Sequence, residues 1–520
     1  MSQGKHASPE PELPEPARPP VGGGLASVAA RGSTWGTAQA TVNKAATAAS
    51  MLLVACFLSP TQMGVATLAI AVSGFLVPFP PIVMGDVLVG LETTDARPRR
   101  LAARIAMRHA IAMAALSLAL AWPIAAAYPD APTLLLAMLI GLLGAKPLAE
   151  ALSIGSLTRL RVAFSYRAIA IADGATQLAA TAATAVMAVA GAGPLAIVLP
   201  QAVGFFAKAA WYRVAANRLP TEARDDADPQ ERRGDAGRLA KSFRTAATAQ
   251  YVHNLVFAIA PPLLGLLSDA EATGYYAFAF MLATQATVVI GSQLVVVLQP
   301  VLSRLNGDPN RQSEAYARVI TVLCAIAVPV SLLQVAFAEP LFALLFRPKW
   351  DGAFLPFLVL SVSQSFYVVV SPTIALMKAR ARFGTFLCWQ GAHLLIAALC
   401  YSAGAHWGGA LGVAIADLAV WAVSAPAAMF LSTRGTTVGA WRCFRALIAP
   451  CAASVPLAIA SGAAAHQLTA VGSAGALAAL LLAAPIAAVF ALAATKWTQP
   501  AAWEEAKPLL ARLSARFRGR

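Results

Sequence analysis

The sequence predicts an all-α, polytopic membrane protein with about fourteen transmembrane helices, and three observations predict it. Only 12% of the 520 residues are charged while 58% are hydrophobic, and the mean hydropathy is +0.67. A soluble domain carries about 25% charged residues. Apolar stretches of about 20 residues, the length that crosses a bilayer, recur along the whole chain with short polar breaks between them. Lys and Arg concentrate in every second break. The net charge of +15 therefore reads as membrane topology and not as nucleic-acid binding.

Residues 1–34 are rich in Pro, Glu and Gly and have no apolar core, the composition of a disordered cytoplasmic tail and not of a signal peptide. The first six spans are expected at about 36–57, 64–90, 105–127, 131–150, 167–189 and 193–215, within a unit covering 35–215. A charged cytoplasmic linker follows at 216–245; the polar stretch around it, Tyr212 to Arg244, is the longest and is too short for a folded soluble domain. Six further spans are expected at about 246–267, 273–299, 317–337, 353–376, 385–403 and 408–431, a second unit covering 246–431. Spans thirteen and fourteen, at about 446–466 and 470–494, lie within 432–495, ahead of a basic cytoplasmic tail at 496–520. Abundant Ala and Gly suit close helix packing in a membrane.

Loop charge supports the count independently. One set of loops carries Arg97, Arg99, Arg100 and Arg104, then Arg159, Arg161 and Arg167, and onward through Arg304, Arg380, Arg382, Arg434 and Arg442. The alternate loops are nearly bare, with Arg347 and Lys349 standing out. Basic loops stay in the cytoplasm, which places both termini inside, requires an even number of spans, and fits the inner membrane of a bacterium.

An internal repeat is visible. Leu58-Ser59-Pro60 with Gly64 precedes span two as Leu267-Ser268-Asp269 with Gly274 precedes span eight. Arg159-Leu160-Arg161 precedes span five as Arg380-Ala381-Arg382 precedes span eleven, and Gly191-Ala192-Gly193 opens span six as Gly408-Gly409 opens span twelve. The offsets fall between 209 (Ser59 to Ser268) and 221 (Arg159 to Arg380) residues. A repeat of six spans keeps its orientation, so the halves are related by an axis along the membrane normal.

The six cysteines are scattered, without a CxxC pair, and read as small core residues. No GxxxxGK[ST], HExxH or GxSxG motif is present, so no ATPase, zinc-hydrolase or serine-hydrolase site is recognisable. No cofactor and no metal site is expected, and the chain reads as a transporter, not an enzyme.

Several segments resemble a known group. Gly32-Ser33-Thr34-Trp35-Gly36 followed by Leu58-Ser59-Pro60-Thr61-Gln62-Met63-Gly64 is similar to the opening of polysaccharide-type (Wzx-like) oligosaccharide flippases of the MOP (multidrug/oligosaccharidyl-lipid/polysaccharide) exporter superfamily. Gly274-Tyr275-Tyr276, Leu298-Gln299-Pro300-Val301-Leu302-Ser303-Arg304-Leu305 with Tyr316, and Phe346-Arg347-Pro348-Lys349-Trp350 are similar to later segments of that family. Span two departs from the pattern: Pro78, Pro80 and Pro81 should kink it. The resemblance implies two six-helix lobes around a central cavity plus two C-terminal helices. It also implies export of a polyprenyl-diphosphate-linked oligosaccharide across the cytoplasmic membrane, by alternating access, for exopolysaccharide, capsule or O-antigen synthesis. Its partners would be that substrate, membrane lipids, and a polysaccharide polymerase with its export machinery; nucleic acid is not among them.

Such a substrate needs positive charge and hydrogen-bond donors on cavity-facing helices. In span one, Gln39, Asn43, Thr47 and Ser50 share a helical stripe, and Lys44 lies well inside the same helix. Two readings of Lys44 compete, a cavity cation and a lysine snorkelling to the interface. Span seven offers Gln250, His253 and Asn254, and span eight Gln285 and Gln293, whose alternative is interhelical hydrogen bonding. His253 reads more simply as a satisfied core histidine than as a proton sensor. Asp173 and Asp417 are candidates for ion coupling, against a structural hydrogen bond. Lys146 and Glu150 are spaced to pair on one helix, while Asp86 and Lys208 suit snorkelling near the basic ends. Arg159, Arg161, Arg380 and Arg382 begin helices at matching places and would attract the diphosphate before transport, although topology alone explains them.

Three rivals to the polysaccharide flippase remain. A cation-coupled drug or metabolite exporter of the same superfamily calls for an acidic cavity, whereas the innermost charge of span one is Lys44. A membrane-embedded polysaccharide polymerase or glycosyltransferase calls for a large outer loop, and the outer loops are short. A lipid-II-type flippase would carry a different glycan, and the motifs fit the polysaccharide branch better.

Overall fold

The computed structural model describes residues 25–77, 81, 83–84, 88, 96–163, 165–219, 243–244, 247–248, 250–285, 302, 305, 308–380 and 382–498. Among these, every regular element is helical. Ten helices of the described residues are long and apolar enough to cross a membrane, and Val42–Phe57 adds a shorter apolar one.

Span one is the helix Leu25–Phe57, which begins nine residues (34 − 25) before the expected end of the tail. Span two starts at Pro60–Phe75. Its helix stops at Phe75 and resumes at 83–84, with Pro81 in a turn; Pro78 and Pro80 lie outside the described residues. Span three is Ala96–Ala125. Span four, expected to end near 150, runs on in two pieces, Thr133–Leu143 and Lys146–Val162, so that Arg159 and Arg161 lie on its last turn and not in a loop. Spans five and six are Tyr166–Val189 and Leu195–Asn217. Span seven is Gln250–Leu267, and span eight is described over 270–285. Spans nine and ten are Pro309–Ala336 and Asp351–Met377. Spans eleven and twelve fall within Phe383–Thr433, divided at Gly409, whose φ of 51° favours a residue without a Cβ. Spans thirteen and fourteen follow as Ala440–Ala470 and Ser473–Ala491.

Local chemistry starts these helices where they start. Ser59 caps span two in a capping box: its hydroxyl accepts from the Gln62 amide and the Gln62 side chain accepts from the Ser59 amide, with Pro60 in the first turn. Asp269 caps span eight, its carboxylate accepting from the Ala272 amide at 2.6 Å. Asp308 caps span nine ahead of Pro309. The caps align Ser59 with Asp269, a separation of 210 residues (269 − 59) that also carries Gly64 onto Gly274.

Packing repeats as the sequence does. Span one packs on five and span four on six; in the second half, span seven packs on the eleven–twelve hairpin, and so does span ten. Spans thirteen and fourteen pack on span nine, outside the repeat. Gly193 lies against Gln62 in the first lobe, and Gly409 lies against Ser268 and Ala272 in the second. The described Arg99, Arg159, Arg161, Arg380, Arg382 and Arg434 stand at those ends of their spans that the strict alternation of antiparallel helices puts on one side, called here the basic end. The opposite, bare end is built from the short 1–2, 5–6, 7–8 and 11–12 connections.

Candidate substrate site and the contact between the lobes

The lobes meet along spans two, seven and eight. At the bare end Gly64 of span two lies directly against the Ala270 carbonyl, and Gly274 of span eight against the Pro60 carbonyl, so the backbones touch without intervening side chains. One helical turn deeper, Leu68 fills the space beside Gly265. Nearer the basic end the Tyr251 hydroxyl donates to the Phe75 carbonyl at 2.8 Å, linking span seven to span two. The 9–10 connection covers the end of span one: Trp350 Nε1 donates to the Ala55 carbonyl at 2.9 Å and Lys349 Nζ to the Cys56 carbonyl at 3.1 Å. Trp350 is fully buried and stacks on Phe278 with ring centroids 4.1 Å apart. Burial lowers the pKa of the Lys349 ammonium from its ordinary value.

Within the first lobe, spans four, five and six enclose a polar cavity of about 340 Å³. Lys146, Glu150, Arg161, Asp173, Lys208 and Tyr212 line it. Asp173 is its organising group. Gln39 Nε2 donates to Asp173 Oδ2 at 2.5 Å and the Tyr212 hydroxyl to Oδ1 at 2.6 Å. Lys208 Nζ stands 3.5 Å from Oδ1. Lys146 Nζ is 3.7 Å from Glu150 Oε1 and lies over the Phe205 ring at 5.3 Å from its centroid.

The stripe expected on span one is thus divided. Gln39 points into the first lobe towards span five, and Thr181 of span five donates to the Ala46 carbonyl on the same face. Asn43 is half-buried, and its buried side-chain oxygen has no hydrogen-bond partner among the described residues. Thr47 turns its hydroxyl back onto the Asn43 carbonyl at 2.7 Å. Lys44, one residue beyond Asn43, is rotated by about 100° to another face of the helix and is half-buried.

On span seven, Gln250 Nε2 donates to Asn254 Oδ1 at 2.8 Å on an exposed face. His253 faces its own lobe instead: the Gln390 amide nitrogen is 2.9 Å from His253 Nδ1, and Phe257 meets the imidazole edge-on. Gln285 folds its amide onto the Met281 carbonyl at 3.1 Å. Gln293 and Asp86 lie outside the described residues.

In the second lobe Asp417 is buried among spans ten, eleven and twelve and accepts from the Ser363 hydroxyl at 2.6 Å and the Tyr401 hydroxyl at 2.8 Å. The two Arg-x-Arg pairs have taken different work. Arg161 lines the first-lobe cavity, and Arg159 lies two residues before it on the last turn of span four. Arg380 bonds Gln312, Ser313, the Pro309 carbonyl and the Ser432 carbonyl, and Arg382 the Leu431 and Arg434 carbonyls. They tie the start of span nine to the end of span twelve. Burial, and then the neighbouring Arg382 charge, lower the pKa of Arg380.

Reasoning on the sequence did not bring forward Gln390, His393 or Tyr212. His393 is buried, its Nδ1 2.5 Å from Ser424 Oγ, beside an apolar groove of about 500 Å³ between spans eleven and twelve. A polar residue inside an apolar span is the signal that would have found all three.

Residues 53–355, more than half of the chain, match the family described as polysaccharide biosynthesis protein. The chain belongs to that family. No curated protein matches it. Among solved structures it is similar to the lipid II flippase MurJ in an inward closed conformation, with a TM-score of 0.68 at 10% identity, covering 91% of this chain and 99% of that one. It is also similar to an inward-facing multidrug resistance MATE family transporter of the MOP superfamily, with a TM-score of 0.55 at 13% identity, covering 78% of this chain and 94% of that one. At such identities the likeness is one of fold, and it agrees with the two-lobed helical bundle expected from the motifs. This family member is a multi-pass membrane protein with the flippase and transporter fold.

Proposed function

We propose that this chain is a flippase that carries a polyprenyl-diphosphate-linked oligosaccharide across the bacterial cytoplasmic membrane during polysaccharide synthesis. The observation that carries the reading is the contact of Gly64 and Gly274 at the bare end. Two lobes of one repeat that touch backbone to backbone at equivalent positions form a gate that rigid-body rocking opens and shuts. Membership of the polysaccharide biosynthesis family supports the substrate class. In this reading the basic end faces the cytoplasm with both termini. The lobes 35–215 and 246–431 rock about the central cavity between them, and the bare end is shut. The polyprenyl tail stays in lipid while the head group passes between the lobes.

Energy for transport comes from an ion or substrate gradient, with Asp173 and Asp417 as candidates for sensing the ion. Lys44, on the face of span one turned away from Gln39, stays a contact for the glycan head. The test is a deletion strain in which the membrane face holding the lipid-linked oligosaccharide is assayed. Accumulation on the cytoplasmic face with loss of surface polysaccharide, both reversed by the wild-type gene, supports the reading. Unchanged sidedness and unchanged polysaccharide would move the search to drug or metabolite export.

A further inference from the structure

We propose that the polar cavity of the first lobe holds the diphosphate of the substrate, with Lys208, Lys146 and Arg161 as its ligands. The proposal rests on the flippase reading and adds to it the place where the charged group is carried.

Three cations and two carboxylates line the cavity, a formal surplus of one positive charge (three − two). The carboxylate that would neutralise Lys208 is already engaged. Asp173 takes one hydrogen bond on each oxygen, from Gln39 and from Tyr212, both neutral donors. Lys208 stays 3.5 Å away, longer than the roughly 2.7–2.9 Å of a charge-assisted hydrogen bond. Lys146 Nζ likewise stays 3.7 Å from Glu150 Oε1. An ammonium has three donors, and these two are held near counter-charges without being saturated by them. Such lysines can exchange a loose carboxylate contact for close contacts to phosphate oxygens at little cost.

The position also suits a group in transit. Asp173 is seven residues into span five from the basic end, about 10 Å deep at 1.5 Å per residue. Lys146 begins the second piece of span four beyond the Gly144 break, near the middle of the bundle. Arg161 lies on the last turn of that piece, at the basic end. The three cations thus form a ladder from the basic end to mid-depth. Phosphate is expelled by hydrocarbon unless it meets such charges. The ladder belongs to one lobe, so the diphosphate can stay bound while the Gly64–Gly274 contact opens.

The test uses the purified full chain in lipid nanodiscs, titrated calorimetrically with farnesyl diphosphate and with inorganic pyrophosphate. The wild type should bind farnesyl diphosphate at least tenfold more tightly than pyrophosphate, as a lipid-borne ligand requires. Lys208→Gln and Lys146→Gln should each weaken binding about tenfold, the loss of one charge-assisted contact. Lys208→Arg, which keeps the charge, should bind within a few-fold of the wild type. Arg311→Gln, exposed at the start of span nine, should leave binding unchanged. Equal affinity for both probes would assign the cavity to a soluble diphosphate and overturn the proposal. Unchanged binding in folded, monodisperse Lys208→Gln and Lys146→Gln would overturn it too.

Complementation separates the two levels. If the wild-type gene restores polysaccharide export and the doubly substituted Lys146→Gln/Lys208→Gln gene does so equally at normal protein level, the cavity assignment fails and the flippase stands. If deletion leaves the sidedness of the lipid-linked glycan unchanged, the flippase reading itself fails, whatever the nanodiscs bind.

Discussion

Gly64 and Gly274 occupy equivalent places in the two lobes, and each is pressed against a carbonyl of the other lobe, Ala270 for Gly64 and Pro60 for Gly274. A methyl group at either position overlaps backbone, which cannot move aside as a flexible side chain can. Gly64→Ala should therefore part the lobes at the bare end. A cysteine at Thr273, a fully buried position, in a protein with its native cysteines replaced, should resist an impermeant maleimide in the parent and react in Gly64→Ala. Equal labelling in both proteins would remove this contact as the gate.

Trp350 fastens the same end by a different device. Its indole is fully buried, stacked on Phe278, and donates to the last turn of span one. Trp350→Ala should lower stability by about 3–5 kcal/mol, the usual cost of a large-to-small change at a buried aromatic. Trp350→Phe keeps an aromatic ring but loses the donor and part of the indole's volume, at about 1–3 kcal/mol. Thermal unfolding in nanodiscs ranks them; a Trp350→Phe as damaging as Trp350→Ala would contradict the packing argument.

Arg380 acts on the architecture of the second lobe. Arg380→Gln removes charge-assisted bonds to the Pro309 and Ser432 carbonyls and to Ser313, each worth about 1.5 kcal/mol. The midpoint of unfolding should fall while affinity for farnesyl diphosphate in the surviving folded protein stays within twofold of the wild type. A selective loss of ligand affinity with unchanged stability would return Arg380 to the substrate path.

Asp417 separates a hydrogen-bonding role from a charge role. Asp417→Asn keeps an acceptor for Ser363 or Tyr401 and should remain within about 1 kcal/mol of the wild type. Asp417→Leu strands both hydroxyls in a buried place, at about 1–3 kcal/mol for each. Unfolding midpoints decide this, and transport by Asp417→Asn vesicles under an imposed proton or sodium gradient then reports whether the charge couples to an ion. Asp417→Leu as stable as Asp417→Asn would rule out the hydrogen-bond account.

The membrane class, the span pattern, the alternation of basic and bare loops and the twofold repeat were all legible in the sequence. Each depends on local composition: a bilayer selects runs of apolar residues of a set length, and loops keep their charge wherever the helices pack. Helix starts were less legible: spans one, three and nine, expected from about 36, 105 and 317, begin at Leu25, Ala96 and Pro309, because an apolar run marks the bilayer and not the polar turns by which a helix extends beyond it. Periodicity also placed Gln39 and Asn43 on one face of span one, yet it named no neighbour for that face. Only the tertiary structure brought Asp173 to Gln39, 134 residues away, and gathered Lys146, Arg161 and Lys208 into one cavity. The same is true of Arg380, which topology explained as well as ligand capture did until its four partners on spans nine and twelve were in view. A helix presents every side of itself to the sequence reader; which side meets lipid, a neighbouring helix or a cavity is set by contacts between residues far apart in the chain, and those exist only once the bundle has closed.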